Sequence, residues 1–175
     1  MKSNILLIFA HPALEKSRAN RRLLESLTSD DPVTLNDLYE KYPDFVIDVG
    51  REKALLEAND RIVFQFPFYW YSTPALIKEW LDLVLQYGWA YGKGGNALHG
   101  KTVQVITTTG GSRDAYTAEG HNKYPVVELL RPLEQTANLC GMVWVEPVVI
   151  YDALNLDADA MTKAVNRYRA CLFGS

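Results

Sequence analysis

Five short segments of strand character, each separated from the next by a segment of helical character, constrain the fold of this chain more than any other feature. Residues 5–10 form a continuous apolar run, which is typical of a strand that is buried on both faces. The other segments are residues 33–38, 61–66, 102–109 and 142–151. Strands that are joined through helices need crossover connections, so the sheet should be parallel and covered on both faces. We therefore predict a doubly wound α/β fold.

Helical periodicity or local start signals mark the segments between and after these strands. Ser17 can cap a first helix, and Pro74, whose φ suits the first helical position, should begin another. Further helices are predicted at residues 51–59, 129–139 and 158–172, with Pro132 in the first turn of the second of these. After Pro74 we expect one buried face formed by Leu76, Trp80, Leu83, Val84 and Tyr87.

Composition limits the classes of protein to which the chain can belong. A length of 175 residues without a repeat or a linker favours a single domain, residues 1–175. The net charge of −3 argues against a nucleic-acid partner, and the two distant cysteines, Cys140 and Cys171, argue against a metal site. The sequence has neither a signal-peptide pattern nor a long apolar run, so we expect a cytoplasmic protein.

Three loops that follow the first, third and fourth predicted strands carry the polar and aromatic residues of interest. They are "AHPALEKSRAN", "PFYWYS" and "TTTGGSRDAY", at residues 10–20, 67–72 and 107–116. In an open parallel sheet, ligands bind outside the carboxyl ends of the strands, where the strand order reverses. In the strand order 2-1-3-4-5 these three strands are neighbours, so the loops should meet around one binding site.

The first loop has the character of an anion site, although it contains neither of the two common nucleotide-binding glycine motifs. A helix that begins after Ser17 presents first-turn amides without intrahelical acceptors, and these amides attract a phosphate. Ser17 can equally act as a helix cap alone, and His11, which precedes a proline, can be a turn residue alone.

The other two loops are suited to a flat aromatic ligand. The stretch that ends the third strand supplies aromatic surface for stacking, and residues 108–111 supply hydroxyl groups and backbone that a planar ring can approach closely. Exposed aromatic residues also mark dimer interfaces, and T-T-G-G alone is a common turn, so both interpretations stay open.

Taken together, these motifs resemble those of the flavodoxin-like NAD(P)H:quinone oxidoreductases. The matching stretches are A-H-P with S-R-A-N (10–12 and 17–20), P-F-Y-W-Y-S (67–72), P-A-L-I-K-E-W-L-D (74–82), G-W-A-Y-G-K-G-G-N-A-L-H-G-K (88–101) and T-T-G-G (108–111). Their order and their spread over nearly the whole chain make the resemblance specific. Within this family, Y-P-D-F-V-I-D (42–48) and the chain length are most similar to the ancillary oxidoreductases of glutathione-gated potassium-efflux systems.

The resemblance implies a flavodoxin-like domain that binds FMN, in preference to FAD, and forms a homodimer. It also implies two-electron transfer from NAD(P)H to a quinone by ping-pong kinetics. Tyr116 matches a family tyrosine near the flavin ring, and His121 lies one residue from a family histidine, so these two are the candidate catalytic residues. The residues carried over as cofactor-binding are His11, Ser17, Arg18, Asn20, Pro67, Phe68, Tyr69, Trp70, Tyr71, Thr108, Thr109, Gly110 and Gly111.

Two other functions stay open on the sequence. The chain can be a regulatory ancillary subunit that docks on the cytoplasmic side of a potassium-efflux antiporter, peripheral to the inner membrane. It can also be a flavodoxin-type carrier of single electrons, although its many aromatic residues weakly oppose that interpretation.

Overall fold

The apolar run near the N-terminus forms an interior strand of a parallel sheet. In the computed structural model, which describes residues 4–174, every residue of this strand is buried. The strands are β1 (Ile5–Phe9), β2 (Val33–Asp37), β3 (Arg61–Pro67), β4 (Thr102–Thr108) and β5 (Val143–Ile150). All neighbouring pairs are parallel, and the order is β2-β1-β3-β4-β5. The predicted five-stranded sheet and its 2-1-3-4-5 order are confirmed.

Helices lie on both faces of this sheet. They are α1 (Arg18–Glu25), α2 (Leu38–Lys41), α3 (Val49–Ala58), α4 (Ala75–Val84), α5 (Val126–Leu129), α6 (Arg131–Leu139) and α7 (Ala158–Phe173), with short 3-10 helices at Leu14–Lys16 and Arg113–Tyr116. Alternate residues of β1 belong to two separate hydrophobic clusters, which is expected for a strand covered on both faces. Among residues 4–174, no helix combines the length and the apolar character that crossing a bilayer requires.

The start signals at Ser17 and Pro132 are confirmed. The Ser17 Oγ accepts a hydrogen bond from the Asn20 backbone N–H at 3.2 Å, and Pro132 lies in the first turn of α6. The end of the second strand was predicted one residue too late. The Asp37 carboxylate accepts from the N–H groups of Tyr39 and Glu40, so it caps α2 and Leu38 becomes the first residue of that helix.

The buried face predicted after Pro74 is wrong at two positions. Leu76, Trp80 and Val84 are buried, but Leu83 is exposed, and Tyr87 lies beyond the last residue of α4. Tyr87 instead packs edge-on against Tyr91 within the loop that follows, with ring centroids 5.8 Å apart. The helical spacing of apolar residues in the sequence therefore extends beyond Val84, where the helix itself ends.

A buried carboxylate joins the edge strand to two helices. The Glu52 side chain on α3 has no solvent exposure, and it accepts four hydrogen bonds. The donors are Asn36 Nδ2 (2.7 Å), Tyr42 Oη (2.6 Å), Trp80 Nε1 (2.7 Å) and Arg51 Nη1 (2.5 Å). Burial, followed by the hydrogen bond to Glu52, raises the pKa of Tyr42 to about 12. This cluster connects β2, α3 and α4 through one buried carboxylate.

Candidate functional site

A cavity of about 400 Å³ opens at the carboxyl-terminal edge of the sheet. Segments that follow β1, β3 and β4 line it, which is the arrangement expected of three neighbouring parallel strands. The predicted cofactor residues among its lining are His11, Ser17, Arg18, Asn20, Pro67, Phe68, Tyr69, Thr108, Thr109 and Gly110. The structure therefore brings residues from all three predicted loops around one space.

The start of α1 forms the polar end of this cavity. Asn20 is almost fully buried, and its Nδ2 donates to Ser17 Oγ at 3.1 Å and to Thr108 Oγ1 at 2.9 Å. These bonds connect the helix start to the end of β4. Among residues 4–174, no donor reaches the buried Oδ1 of Asn20, so this oxygen lacks a partner beside the cavity. A ligand with hydroxyl groups would supply the missing hydrogen bond.

Positive charge is concentrated at the same end. The backbone N–H groups of Arg18 and Ala19 lie in the first turn of α1, where an α-helix supplies no carbonyl acceptor. Lys16 and Arg18 also line the cavity, and the Arg18 guanidinium is held by a hydrogen bond to the Leu156 carbonyl. Helix dipole, free amides and cationic side chains together favour an anionic group such as a phosphate.

His11 lies in the loop after β1 and lines the cavity, and its neighbours restrain the orientation of its ring. Its Nδ1 accepts a hydrogen bond from the Ala13 N–H at 3.1 Å, and its ring packs between those of Phe9 and Tyr69. Burial lowers the pKa of His11, so the imidazole is neutral at pH 7. A neutral ring held in this way shapes the cavity wall and does not supply a positive charge to it.

The aromatic stretch that begins within β3 and continues past its end lies in three different environments. Phe64 and Phe66 are buried in the core, and Phe68 and Tyr69 line the cavity. The next residue, Trp70, is 93% exposed. The dense run of rings thus reaches from the core through the cavity wall to the surface.

A strained turn is responsible for the last of these placements. Tyr69 and Ser72 exchange two backbone hydrogen bonds, of 3.1 and 2.9 Å, around Trp70 and Tyr71. Trp70 has φ 48° and Tyr71 has φ 62°, which is the left-handed region that a type I′ turn needs at both central positions. Each non-glycine residue in this region costs about 1–2 kcal/mol, so the surrounding contacts must hold the turn in place.

The loop after β4 brings Tyr116 and Asn122 towards this turn, but not His121. Tyr116 is buried, with its ring 6.1 Å from those of Phe68 and Tyr151, and burial raises its pKa. Tyr71 Oη donates to Asn122 Oδ1 at 3.2 Å. His121 is exposed and does not line the cavity. Neither of the predicted catalytic residues, Tyr116 and His121, is among the cavity-lining residues. Three of the predicted cofactor-binding residues are also not among them: Trp70, Tyr71 and Gly111.

The two glycines after β4 differ in how much space surrounds them. A Cβ on Gly110 would meet only Leu154 Cδ1, at an ordinary contact distance of 3.6 Å. A Cβ on Gly111 would approach Tyr116 Cε2 at 3.2 Å, which is tight. A side chain at position 110 therefore has room to extend, and Gly110 itself lines the cavity.

Sequence reasoning missed the loop that follows β5. Ala153 and Leu154 line the cavity, and the Ala153 N–H donates to the Thr109 carbonyl at 2.9 Å. The available signal was topological, because a strand next to β4 must deliver its own loop to the same edge of the sheet. No sequence motif marks this loop, so its position in the fold was the signal that could have identified it.

Comparison with known proteins decides the family. A family model described as "flavodoxin-like fold" matches residues 3–172. The chain belongs to this family. A curated relative is the glutathione-regulated potassium-efflux system ancillary protein KefG of Pectobacterium atrosepticum, which is 50% identical over 164 residues, covering 94% of this chain and 90% of that protein.

Solved structures of this fold carry more than one functional name. General stress protein 14 of Treponema denticola, in complex with FMN, superimposes with a TM-score of 0.91 at 35% identity, covering 97% of each chain. An NADPH-quinone reductase from P. pentosaceus gives 0.90 at 32% identity, covering 98% of this chain and 99% of that one. A protein described as a thermophilic tryptophan halogenase, from "Streptomycin violaceusniger", gives 0.94 at 45% identity, covering 97% and 99%.

Proposed function

We propose that the protein is an FMN-dependent oxidoreductase that transfers two electrons from NAD(P)H to a quinone. The observation that carries the proposal is the cavity at the ends of β1, β3 and β4, in which a phosphate-binding helix start faces an aromatic wall. Similarity to a structure with bound FMN and to an NADPH-quinone reductase supports the cofactor and the reaction.

The residues that line the cavity fit FMN better than a smaller ligand. Ser17, Arg18 and the first-turn amides of α1 would hold the phosphate, and the partnerless Asn20 Oδ1 would accept from a hydroxyl of the ribityl chain. Phe68, Tyr69 and residues 108–111 would surround the ring system, with Trp70 and Tyr71 at its rim. A solved structure that is 35% identical to this chain contains FMN, which favours FMN over FAD.

The protein's part in the reaction is to bind, orient and exclude water. When bound, FMN would supply hydride-transfer chemistry between the nicotinamide and the quinone, and the reduced quinone would take its second proton from water. Phe68 and Tyr69 offer apolar surface for stacking either substrate. A tyrosine is protonated at neutral pH, and burial raises the pKa of Tyr116 still further. Its hydroxyl can therefore donate a hydrogen bond where negative charge develops. Both substrates would use this one cavity in turn, and we therefore expect ping-pong kinetics.

The first experiment is to purify the protein, record its visible absorption and identify the released chromophore by chromatography. We expect FMN in a ratio near one per chain, and oxidation of NADPH or NADH that depends on added quinone. A protein that stays colourless when soaked with FMN would refute the assignment.

A glycine series gives the site-specific test. Gly110→Val should abolish FMN binding, because the branched side chain would occupy the cavity while its Cβ meets no atom closer than 3.6 Å. Gly110→Ala is the graded control and should weaken binding less. Melting curves of both flavin-free variants should match the flavin-free parent, and full flavin loading of Gly110→Val would contradict the proposed placement.

A second candidate function is regulation of a potassium-efflux antiporter, which the 50% identity to KefG favours. We propose that the protein then works in the cytoplasm, against the membrane face that carries the antiporter. Potassium efflux from cells that carry Gly110→Val separates the roles. Normal efflux with the flavin-free variant would make the enzyme activity dispensable for regulation.

We also propose a homodimer. Trp70 is 93% exposed next to the cavity, and a single chain gains little from an indole in that position. Light scattering of the purified protein should give twice the mass of one chain. Trp70→Ala should weaken that association, since a large aromatic residue at the centre of an interface commonly dominates its energy.

A further inference from the structure

A second surface cavity, of about 290 Å³, lies between β5 and α7. Three cationic side chains line it: Arg113 from the loop after β4, and Lys163 and Arg167 from α7. The remaining lining residues are Val149, Ile150, Tyr151 and Ala164. We call this feature the cationic cleft.

The positive charge of the cationic cleft is not compensated by the described part of the chain. No acidic residue from residues 4–174 lines it, and none of its three cations forms an ion pair there. Asp159, one turn before Lys163 on α7, is not within ion-pair distance of it. The chain as a whole carries a net charge of −3, so an uncompensated cationic cluster runs against its overall charge.

Two of the three cations are held in place by other groups. Arg167 Nη1 donates to the Val149 carbonyl at 3.0 Å, which fixes the guanidinium over the edge of β5. The Arg113 guanidinium lies over the Tyr151 ring, 4.7 Å from its centroid. Guanidinium groups restrained in this way lose less freedom on binding an anion, and they bind phosphates through several N–H donors at once.

The cationic cleft adjoins the cavity of the candidate functional site. The Tyr151 ring contacts Arg113 and also packs against Tyr116, with the two ring centroids 6.1 Å apart. Ala153, two residues after Tyr151, lines the cavity of the candidate functional site. Two residues of chain span at most about 7 Å, so a substrate that lies over the first cavity can extend a phosphate-bearing arm into the cleft.

We infer that the cationic cleft binds a phosphate group of the nicotinamide dinucleotide. The inference rests on the proposed function, because it assigns a phosphate subsite to the substrate of that reaction. The dinucleotide has two phosphate groups that could bind there: the pyrophosphate shared by NADH and NADPH, and the 2′-phosphate that only NADPH carries. Kinetics with the two substrates distinguish them.

The kinetic test uses the FMN-loaded protein with a quinone in excess. For Arg113→Gln with Lys163→Gln we expect the KM for NADPH to rise about 5- to 20-fold, the range of one or two charge-assisted hydrogen bonds at a partly exposed site. A rise for NADPH alone assigns the 2′-phosphate, and an equal rise for NADH assigns the pyrophosphate. Arg167 is left intact because it also bonds the backbone of β5.

The control is Lys41→Gln, which removes one positive charge at the opposite edge of the sheet. Lys41 is exposed at the end of α2, next to β2, whereas the cationic cleft lies beside β5. This variant should leave both KM values unchanged. If the double variant and the control give the same KM values for both nucleotides, the inference is wrong.

A binding measurement keeps the inference separate from the proposed function. Calorimetric titration of the FMN-loaded protein with 2′,5′-ADP and with inorganic pyrophosphate needs no turnover. Binding of either probe by the parent, weakened in the double variant and in high salt, supports the subsite even if no quinone is reduced. Absence of binding by both probes would overturn it, even in a protein that oxidises NADPH.

Discussion

Replacing the buried Glu52 by glutamine should destabilise the fold far more than its small change in shape suggests. The substitution removes the negative charge and turns one carboxylate oxygen into an NH₂ group. Each oxygen now accepts two hydrogen bonds: Oε1 from Tyr42 and Arg51, and Oε2 from Asn36 and Trp80. An NH₂ group in either position faces donors.

The structure indicates which of the two orientations of the glutamine side chain costs less free energy. The Trp80 indole can act at Oε2 only as a donor, and the Asn36 amide could accept there only by turning its Oδ1 away from Arg51. An NH₂ group at Oε2 would therefore leave the indole without an acceptor and cost the amide one of its two bonds. On the Oε1 side the Tyr42 hydroxyl can rotate and accept, and Arg51 Nη1 keeps its bond to Asn36 Oδ1 at 2.9 Å. The remaining cost is the lost charged partner of Arg51. A hydrogen bond to a charged group contributes roughly 1.5–3 kcal/mol, so we expect a loss of about 2–3 kcal/mol.

The assay is urea unfolding of the flavin-free protein followed by circular dichroism, because bound FMN would add its own stabilisation. The same helix provides a matched control. Glu57 is exposed and also accepts an indole N–H, from Trp89 at 2.9 Å, so Glu57→Gln should change stability by less than about 0.5 kcal/mol. Equal effects of the two substitutions would refute the reasoning from burial.

Two further predictions concern Tyr116, whose ring packs against Phe68 of the cavity wall, and the ion pair between Arg169 and Asp31. Tyr116→Phe should leave FMN bound but lower the turnover number about 10-fold or more, measured at saturating NADPH and quinone; unchanged turnover would exclude the hydroxyl from the reaction. Arg169 binds Asp31 through two hydrogen bonds and lowers the Asp31 pKa to about 2. Because the folded state then holds this proton less tightly than the unfolded state, stability should fall as pH drops from about 4 to 2. Across this pH range the melting temperature of Asp31→Asn should fall less than that of the parent. Parallel plots of melting temperature against pH for the two proteins would contradict the role given to Asp31.

The sheet was predictable because its signal is repeated along the chain. Each apolar run is short, and the segments between runs are long enough for crossover helices, so parallel pairing follows from the pattern. The strand order also predicts the location of the site, since ligands of such sheets bind outside the carboxyl ends of the strands, where the strand order reverses. The placement of Ser17 at a helix start followed from local chemistry alone.

The parts that could not be predicted depend on distant partners. A single glutamate such as Glu52 in a polar helix has the sequence character of a surface residue, and its burial depends on donors from three other segments. Tyr87 fitted a helical spacing, but the backbone after Val84 turns away before reaching it. In the loop after β4, Asn122 and not His121 forms the hydrogen bond with Tyr71, a residue about 50 positions earlier in the chain.

The exposed indole of Trp70 makes the chain its own spectroscopic reporter. Of the four tryptophans, Trp80 is 1% exposed, Trp89 and Trp144 are partly buried, and Trp70 is 93% exposed. A soluble quencher such as acrylamide or iodide will therefore act mainly on Trp70. Any molecule that covers the rim of the cavity, whether a second chain or a larger partner, should shield this fluorophore, so its docking can be followed without an attached dye.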